Sequence, residues 1–271
     1  MEAIQIFQEL IGTRITPIEF RYQPYIDTFA TYPYHHSTDP SFEAEFVDLM
    51  FDSVVFYAYE KEEIEKAMEV YKTNDCVVVS DEIWSDLILP GAKHIPTQTV
   101  SDDAKQRTIA IYAPSKTFNL AGLIGSYHII YNKYLRDKVQ REGAITHYNS
   151  MNVLSMHALL GAYGKEGQEW VDELREVLFS NVDYAYEFIV KNFEGVSLAK
   201  PQGTYMLYLD CTKWCKMHET SIDDLLVAGA SVGVIWQDGR PFGFPNTIRM
   251  DLAVPHSLVI EAMNRLKEYV F

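Results

Sequence analysis

Three side chains in this sequence carry complementary chemistry. Lys116 lies in Ala113-Pro-Ser-Lys-Thr-Phe-Asn-Leu-Ala-Gly122, Asp81 in Val77-Val-Val-Ser-Asp-Glu-Ile-Trp-Ser-Asp86, and Arg249 in Ile248-Arg-Met-Asp-Leu-Ala253. An amine between a small hydroxyl residue and a turn-forming Asn/Gly stretch is placed to condense with an aldehyde and to act afterwards as a base. An aspartate at the end of a buried strand can keep a heterocyclic nitrogen protonated, because the nearby anion favours the charged ring. An arginine inside an apolar run needs an anionic partner, and a carboxylate offers a bidentate one. Ser115 is positioned to donate to a phosphate, Ile83 to lie beside the ring, and Asn119 and Gly122 to shape the turn. Each residue alone has an ordinary reading, as a surface lysine, a turn-forming aspartate or an exposed ion pair; their combination points to chemistry.

The elements around them alternate between strand and helix. Glu60 to Tyr71 carries Ile64, Ala67, Met68 and Tyr71 at helical spacing, and Cys76 to Val79 is a short β-branched run suited to a strand buried on both faces. Thr108 to Tyr112 and Tyr127 to Tyr131 repeat that signal on either side of Lys116, which places the candidate site at strand ends. Helical periodicity follows from Lys133 to Arg141, Asn152 to Tyr163 and Gln168 to Asn192. Beyond it, strands are expected at Val196 to Ala199, Thr204 to Leu209, Val232 to Trp236 and Thr247 to Leu252, with helices at Ile222 to Ala228 and His256 to Tyr269. The expected fold is α/β, a large domain over 1–167 with a mostly parallel sheet and a smaller α+β domain over 168–271. Before residue 58, Tyr22, Tyr25, Tyr32 and Tyr34 alternate with Pro17, Pro24, Pro33 and Pro40 in a segment without regular periodicity.

Composition narrows the function class. The 271 residues are 48% hydrophobic and 13% aromatic, enough for a sizeable core, and the formal charge of −15 disfavours nucleic acid and anionic lipid as partners. Met1 to Leu10 lacks the basic start and apolar run of a secretory signal, and no membrane-spanning stretch is evident, so a cytoplasmic location is expected. Three cysteines suit a reducing compartment. Cys211, Cys215 and His218 fall close together but have no second half of a metal-ligand pattern, so no metal is expected.

Several separated motifs together resemble one family. Ser80-Asp-Glu-Ile-Trp-Ser-Asp86, His94-Ile-Pro96, Ala113 to Gly122, Lys200-Pro-Gln-Gly-Thr-Tyr205, Asp238-Gly-Arg-Pro-Phe242 and Arg249 to Ala253 occur in the order found in fold-type I pyridoxal-phosphate enzymes. These form the class I/II aminotransferase superfamily, and the resemblance is strongest to its cystathionine β-lyase branch, which includes the maltose-regulon-modulator type of C–S lyase. It covers about residues 60–271. The resemblance implies pyridoxal 5'-phosphate as cofactor, a Schiff base on Lys116, Asp81 as partner of the pyridine nitrogen, Arg249 as binder of the substrate carboxylate, and a homodimer.

The sequence also departs from that pattern. Typical aminotransferases place a serine three residues before the lysine and an arginine eight after it, where this chain has Ala113 and Ile124, a difference that favours the lyase branch. The upstream phosphate-binding glycine segment, the stacking aromatic and the Asn-Pro-x-Gly motif have no counterpart. Ser53-Val-Val-Phe-Tyr-Ala-Tyr-Glu60 leads directly into the first helix, with Tyr57 and Tyr59 as candidates for stacking. The implied activity is β-elimination from a sulfur amino acid, with transamination as the close relative. The alternative is a shortened, non-catalytic member of the fold with a binding or regulatory role.

Overall fold

A computed structural model of the chain describes residues 58–147 and 150–271; the tyrosine- and proline-rich segment and Tyr57 lie outside the described residues. Helix α1 (Lys61–Thr73) starts where the Glu60 amide donates to Glu63 Oε2 at 2.7 Å, satisfying a donor at the helix end. Ile64, Met68 and Tyr71 share one face, which packs on Val78, Val100 and Ala104. The Cys76 amide bonds back to Tyr71 O and the Cys76 carbonyl accepts from Arg107, so strand β1 (Val78–Asp81) begins two residues later than expected and runs into Asp81.

A 3₁₀ turn at Thr97–Thr99 and helix α2 (Asp102–Arg107), capped by the Ser101 hydroxyl, return the chain to β2 (Thr108–Tyr112). β1 and β2 pair in parallel, with Val78 opposite Thr108 and Asp81 opposite Ile111. Parallel neighbours end on the same edge of a sheet. Asp81 and the segment that follows Tyr112, which carries Lys116, therefore emerge together. β3 (Tyr127–Ile129) pairs antiparallel with β2, giving the order β1-β2-β3. Of the expected mostly parallel sheet, the described residues hold one parallel and one antiparallel pair.

Helices α3 (Lys133–Thr146) and α4 (Val153–Ala162) are capped by the Asn132 and Asn152 side chains. They lead into α5 (Lys165–Asn192), whose 28 residues span about 42 Å at the usual helical rise. Its stripe of Val171, Leu178, Val182, Ala185 and Ile189 is buried. Leu178 meets Trp84 and Leu87, and Val182, Ala185 and Ile189 underlie the C-terminal sheet. Asn181 in its middle is fully buried, donating to Leu252 O and Val254 O and facing His256 Nδ1, each at 2.8 Å.

The C-terminal sheet contains β4 (Met206–Asp210), β5 (Gln237–Asp238) and β6 (Thr247–Asp251) in the order β4-β6-β5, antiparallel throughout. One face, carrying Leu207, Leu209, Ile248 and Met250, joins α5 and two further helices, α7 (Ile222–Ser231) and α8 (His256–Tyr269), in the largest hydrophobic cluster. The short helix α6 (Thr212–Met217) follows β4. Cys211 and Cys215 are buried free thiols in that cluster, and His218 stacks on Trp214 at 4.5 Å with Nδ1 2.9 Å from Trp214 O.

Two expected strands are corrected. Val232 to Trp236 is not a strand: Gly233 turns with φ +80°, Val234 bonds back to Gly229 O, and the Trp236 indole lies against Gly229, leaving only Gln237–Asp238 extended in pairing. In Val196 to Ala199 only Ser197 pairs, with Asp210. Thr204 adopts φ +62°, which delays β4 to Met206. No described helix is long and apolar enough to cross a membrane.

Candidate active site

Asp81 ends β1, and its Oδ1 accepts from the Ile83 amide at 3.2 Å, so the chain turns sharply beneath the carboxylate. By surface area Asp81 remains open, yet protein atoms crowd it enough that desolvation raises its pKa. The Ile83 hydrogen bond opposes that rise, the Glu82 charge adds to it, and the Lys116 charge lowers it. Lys116 and Asp81 are thus electrostatic neighbours. The lysine is half-buried, with Nζ 5.4 Å from the centre of the Trp84 ring.

The turn bearing Lys116 is held by its own backbone. Phe118 N donates to Pro114 O at 2.9 Å and Leu120 N to Ser115 O at 3.0 Å, while Asn119 takes φ +53°, a conformation that asparagine tolerates well. Ser115 is half-buried beside the lysine, and Thr117 donates to Asp86 Oδ2 at 3.0 Å, tying this turn to the segment after β1. Ile83 packs at the edge of the Trp84, Leu87 and Leu178 cluster. Tyr59 packs with the α1 core cluster rather than at the lysine.

Arg249 lies on β6 opposite Tyr208, with its guanidinium 4.7 Å from the centre of the Phe242 ring. Its strand neighbours Ile248 and Met250 point into the core on the other face, which explains the apolar run around it. The β1–β2 edge and this sheet are joined through residues 84–89. The Trp84 ring meets Tyr205 edge-on at 5.2 Å, Thr204 N donates to Leu87 O at 2.7 Å, and Leu89 N to Gln202 O at 2.9 Å. The structure makes Asp81 and Lys116 electrostatic neighbours, with Ile83 and Ser115 close to them in the chain, and sets Arg249 on the sheet across this seam.

One cluster was not singled out in the sequence. Glu82 is buried to 1% exposure, and its carboxylate accepts from Ser80 Oγ (2.7 Å), Thr97 N (3.1 Å), His94 Nε2 (2.9 Å) and Tyr112 Oη (2.6 Å). Burial alone would raise its pKa. The bonds from His94, Tyr112 and Ser80, with the His94 charge, outweigh that and hold it below the usual range. Tyr112, desolvated and bonded to Glu82, is pushed far above the tyrosine range. Beside this cluster lies a hollow of about 420 Å³ lined in part by His94, Tyr112, Asp86, Phe118 and Tyr163. The sequence signal was an acid directly after the strand-end aspartate, with His94 in a motif of its own.

A parallel strand pair ending in an acid and a lysine turn, followed by a long helix and an antiparallel sheet, is the arrangement of a known class of fold. The chain belongs to the aminotransferase class I and II family, whose model matches residues 57–266. It is 36% identical over 157 residues to cystathionine beta-lyase PatB of Bacillus subtilis (strain 168), covering 56% of this chain and 39% of that protein. It is 29% identical over 218 residues to an aspartate aminotransferase of Bacillus sp. (strain YM-2), covering 78% and 54%. Among solved structures it resembles the pyridoxal-phosphate-bound C–S lyase of Staphylococcus hominis, with a TM-score of 0.69, 27% identity, and coverage of 79% of this chain and 54% of that one. The chain spans about half the length of the relatives it matches.

Proposed function

We propose that this protein is a pyridoxal-phosphate-dependent enzyme acting on an amino acid, a C–S β-lyase in the first instance. The observation that carries the reading is that a parallel strand pair ends in Asp81 on one strand and leads into the Lys116 turn on the other, at the same edge. When bound, pyridoxal phosphate supplies an aldehyde that condenses with amines and a ring that accepts the electron pair freed at the substrate α-carbon. The residues suit its two reactive ends. Lys116 would hold the aldehyde through Nζ, and the same Nζ, once free, would serve as the base for the substrate α-proton. Asp81, short of hydration, would gain from a protonated ring nitrogen facing it and would favour the proton staying on that nitrogen.

Trp84 gives Lys116 an aromatic wall, and Ile83 lies next to Asp81. Arg249 offers a planar fork to the substrate carboxylate. At the phosphate end the described residues that sequence comparison points to are Ser115, Ala113 and Ile124, and only Ser115 has a donor side chain. The exposed Ile124 stands where an aminotransferase would present arginine, which favours elimination over transamination. We place the boundary between a cofactor-binding part and a smaller C-terminal part near residue 168, at the start of α5, and the working form as a cytoplasmic homodimer.

A second reading, a non-catalytic member of the fold with a binding or regulatory role, draws on that thin phosphate end. Mixing the purified protein with pyridoxal phosphate decides between the two. The enzyme reading requires the visible absorbance of lysine-bound coenzyme, its loss in Lys116→Ala, and pyruvate release from cystathionine or a cysteine conjugate. A folded protein that shows neither absorbance nor pyruvate is the non-catalytic relative.

A further inference from the structure

We propose that Glu82 is a positioning residue that fixes where Asp81 and Lys116 stand relative to one another. Its side chain joins three separate stretches: Ser80 within β1, Tyr112 at the end of β2, and His94 with Thr97 in the connection between the strands. Glu82 follows Asp81 directly, and Tyr112 stands four residues before Lys116. Beyond these side-chain ties, the Glu82 amide donates to Ile111 O at 2.9 Å, extending the β1–β2 ladder past Asp81. Both the backbone and the side chain of one residue therefore clamp the two strand ends that present the acid and the amine.

The energetics favour rigidity over mere filling. A carboxylate at 1% exposure is tolerable only with its oxygens satisfied, and here each oxygen accepts two bonds. Releasing any one donor leaves a buried anion with fewer bonds, at a cost that couples the four donors to one another. Tyr112 is further held by stacking on Tyr127 at 5.5 Å, which anchors the clamp to the third strand. The inference rests on the proposed roles of Asp81 and Lys116, but its consequence is visible in the protein without coenzyme.

The test is a double-mutant cycle read at the Asp81 carboxyl by carbon-13 NMR titration of the coenzyme-free protein. In the parent, Lys116→Met raises the Asp81 pKa, because a nearby positive charge is lost. In a Glu82→Gln background that change is expected to fall to about half or less, since the amine no longer sits at a fixed distance. Tyr112→Phe leaves the Glu82 charge in place and cuts only the tie to β2; it is expected to weaken the coupling in the same way, and it carries the test if Glu82→Gln does not fold. An undiminished Asp81–Lys116 coupling in both variants overturns the proposal, as does a Glu82→Gln protein in which Asp81 shifts down through loss of the neighbouring charge while the coupling stays intact. Separate titration of the parent with pyridoxal phosphate reports on the proposed function alone, so failure of one reading is not mistaken for failure of the other.

Discussion

Asp81 is held in a state that works against the stability of the free protein. Its folded pKa is raised by desolvation, so the native chain binds this proton more tightly than the unfolded one does. Above the unfolded aspartate pKa its ionisation therefore costs stability, and that cost is absent at pH values low enough to protonate it in both states. Asp81→Asn is expected to unfold at higher urea than the parent near neutral pH, with the advantage fading as pH falls through the carboxylate range. A parent that is the more stable at pH 7 would contradict this assignment. Glu82, one residue on, has the opposite sign: its lowered pKa contributes stability that is lost as pH falls.

The acid and the amine were readable in the sequence because each sits in a short run of diagnostic neighbours. The partners of Glu82 were not, since His94 and Tyr112 lie 12 and 30 residues away and meet it only through strand pairing and the 94–97 connection. Arg249 was marked by its apolar neighbours. Its contact with Phe242 depends on sheet register, which a single strand pattern does not contain.

At the scale of elements, periodicity served where packing agreed with it. α8 and β2 have the bounds that the sequence pattern gave: α8 buries Val259, Met263 and Leu266 at helical spacing, and β2 opens with three consecutive buried residues, Thr108, Ile109 and Ala110. Val232 to Trp236 misled for a physical reason: Val232 and Val234 pack into the return of α7 instead of pairing, and Trp236 folds back on the helix. That return requires glycine at 229, where an added Cβ would come within 2.5 Å of the indole ring. Gly229→Ala is expected to destabilise the protein by about 1–3 kcal/mol through overpacking, measured as a lower urea midpoint with an unchanged slope. An unaltered midpoint would mean that the ring moves aside freely. The length of α5 was underestimated at its start, because Gly164 and Lys165 carry no apolar signal.

Across the whole molecule, 38 acidic residues face 23 basic ones, and many of the ion pairs are exposed links one helical turn apart. Such pairs contribute little, whereas like-charge repulsion in a chain of −15 opposes compaction. Salt shortens the screening length from about 30 Å at 0.01 M to about 8 Å at 0.15 M. The thermal midpoint is therefore expected to rise over that interval in a non-binding salt, and a fall would show that the ion pairs dominate. Composition alone carried this property, whereas the arrangement of the two sheets emerged only through contacts between residues more than a hundred positions apart, such as Leu87 with Thr204.

Residues 84–89 hand an indole to the amine on one side and backbone groups to 202–204 on the other. Any tilt of the distal sheet must bend this strap or break its bonds, so the Lys116 amine and that sheet share one mechanical link. A displacement of that sheet would therefore disturb the Trp84 ring against which the Lys116 amine rests.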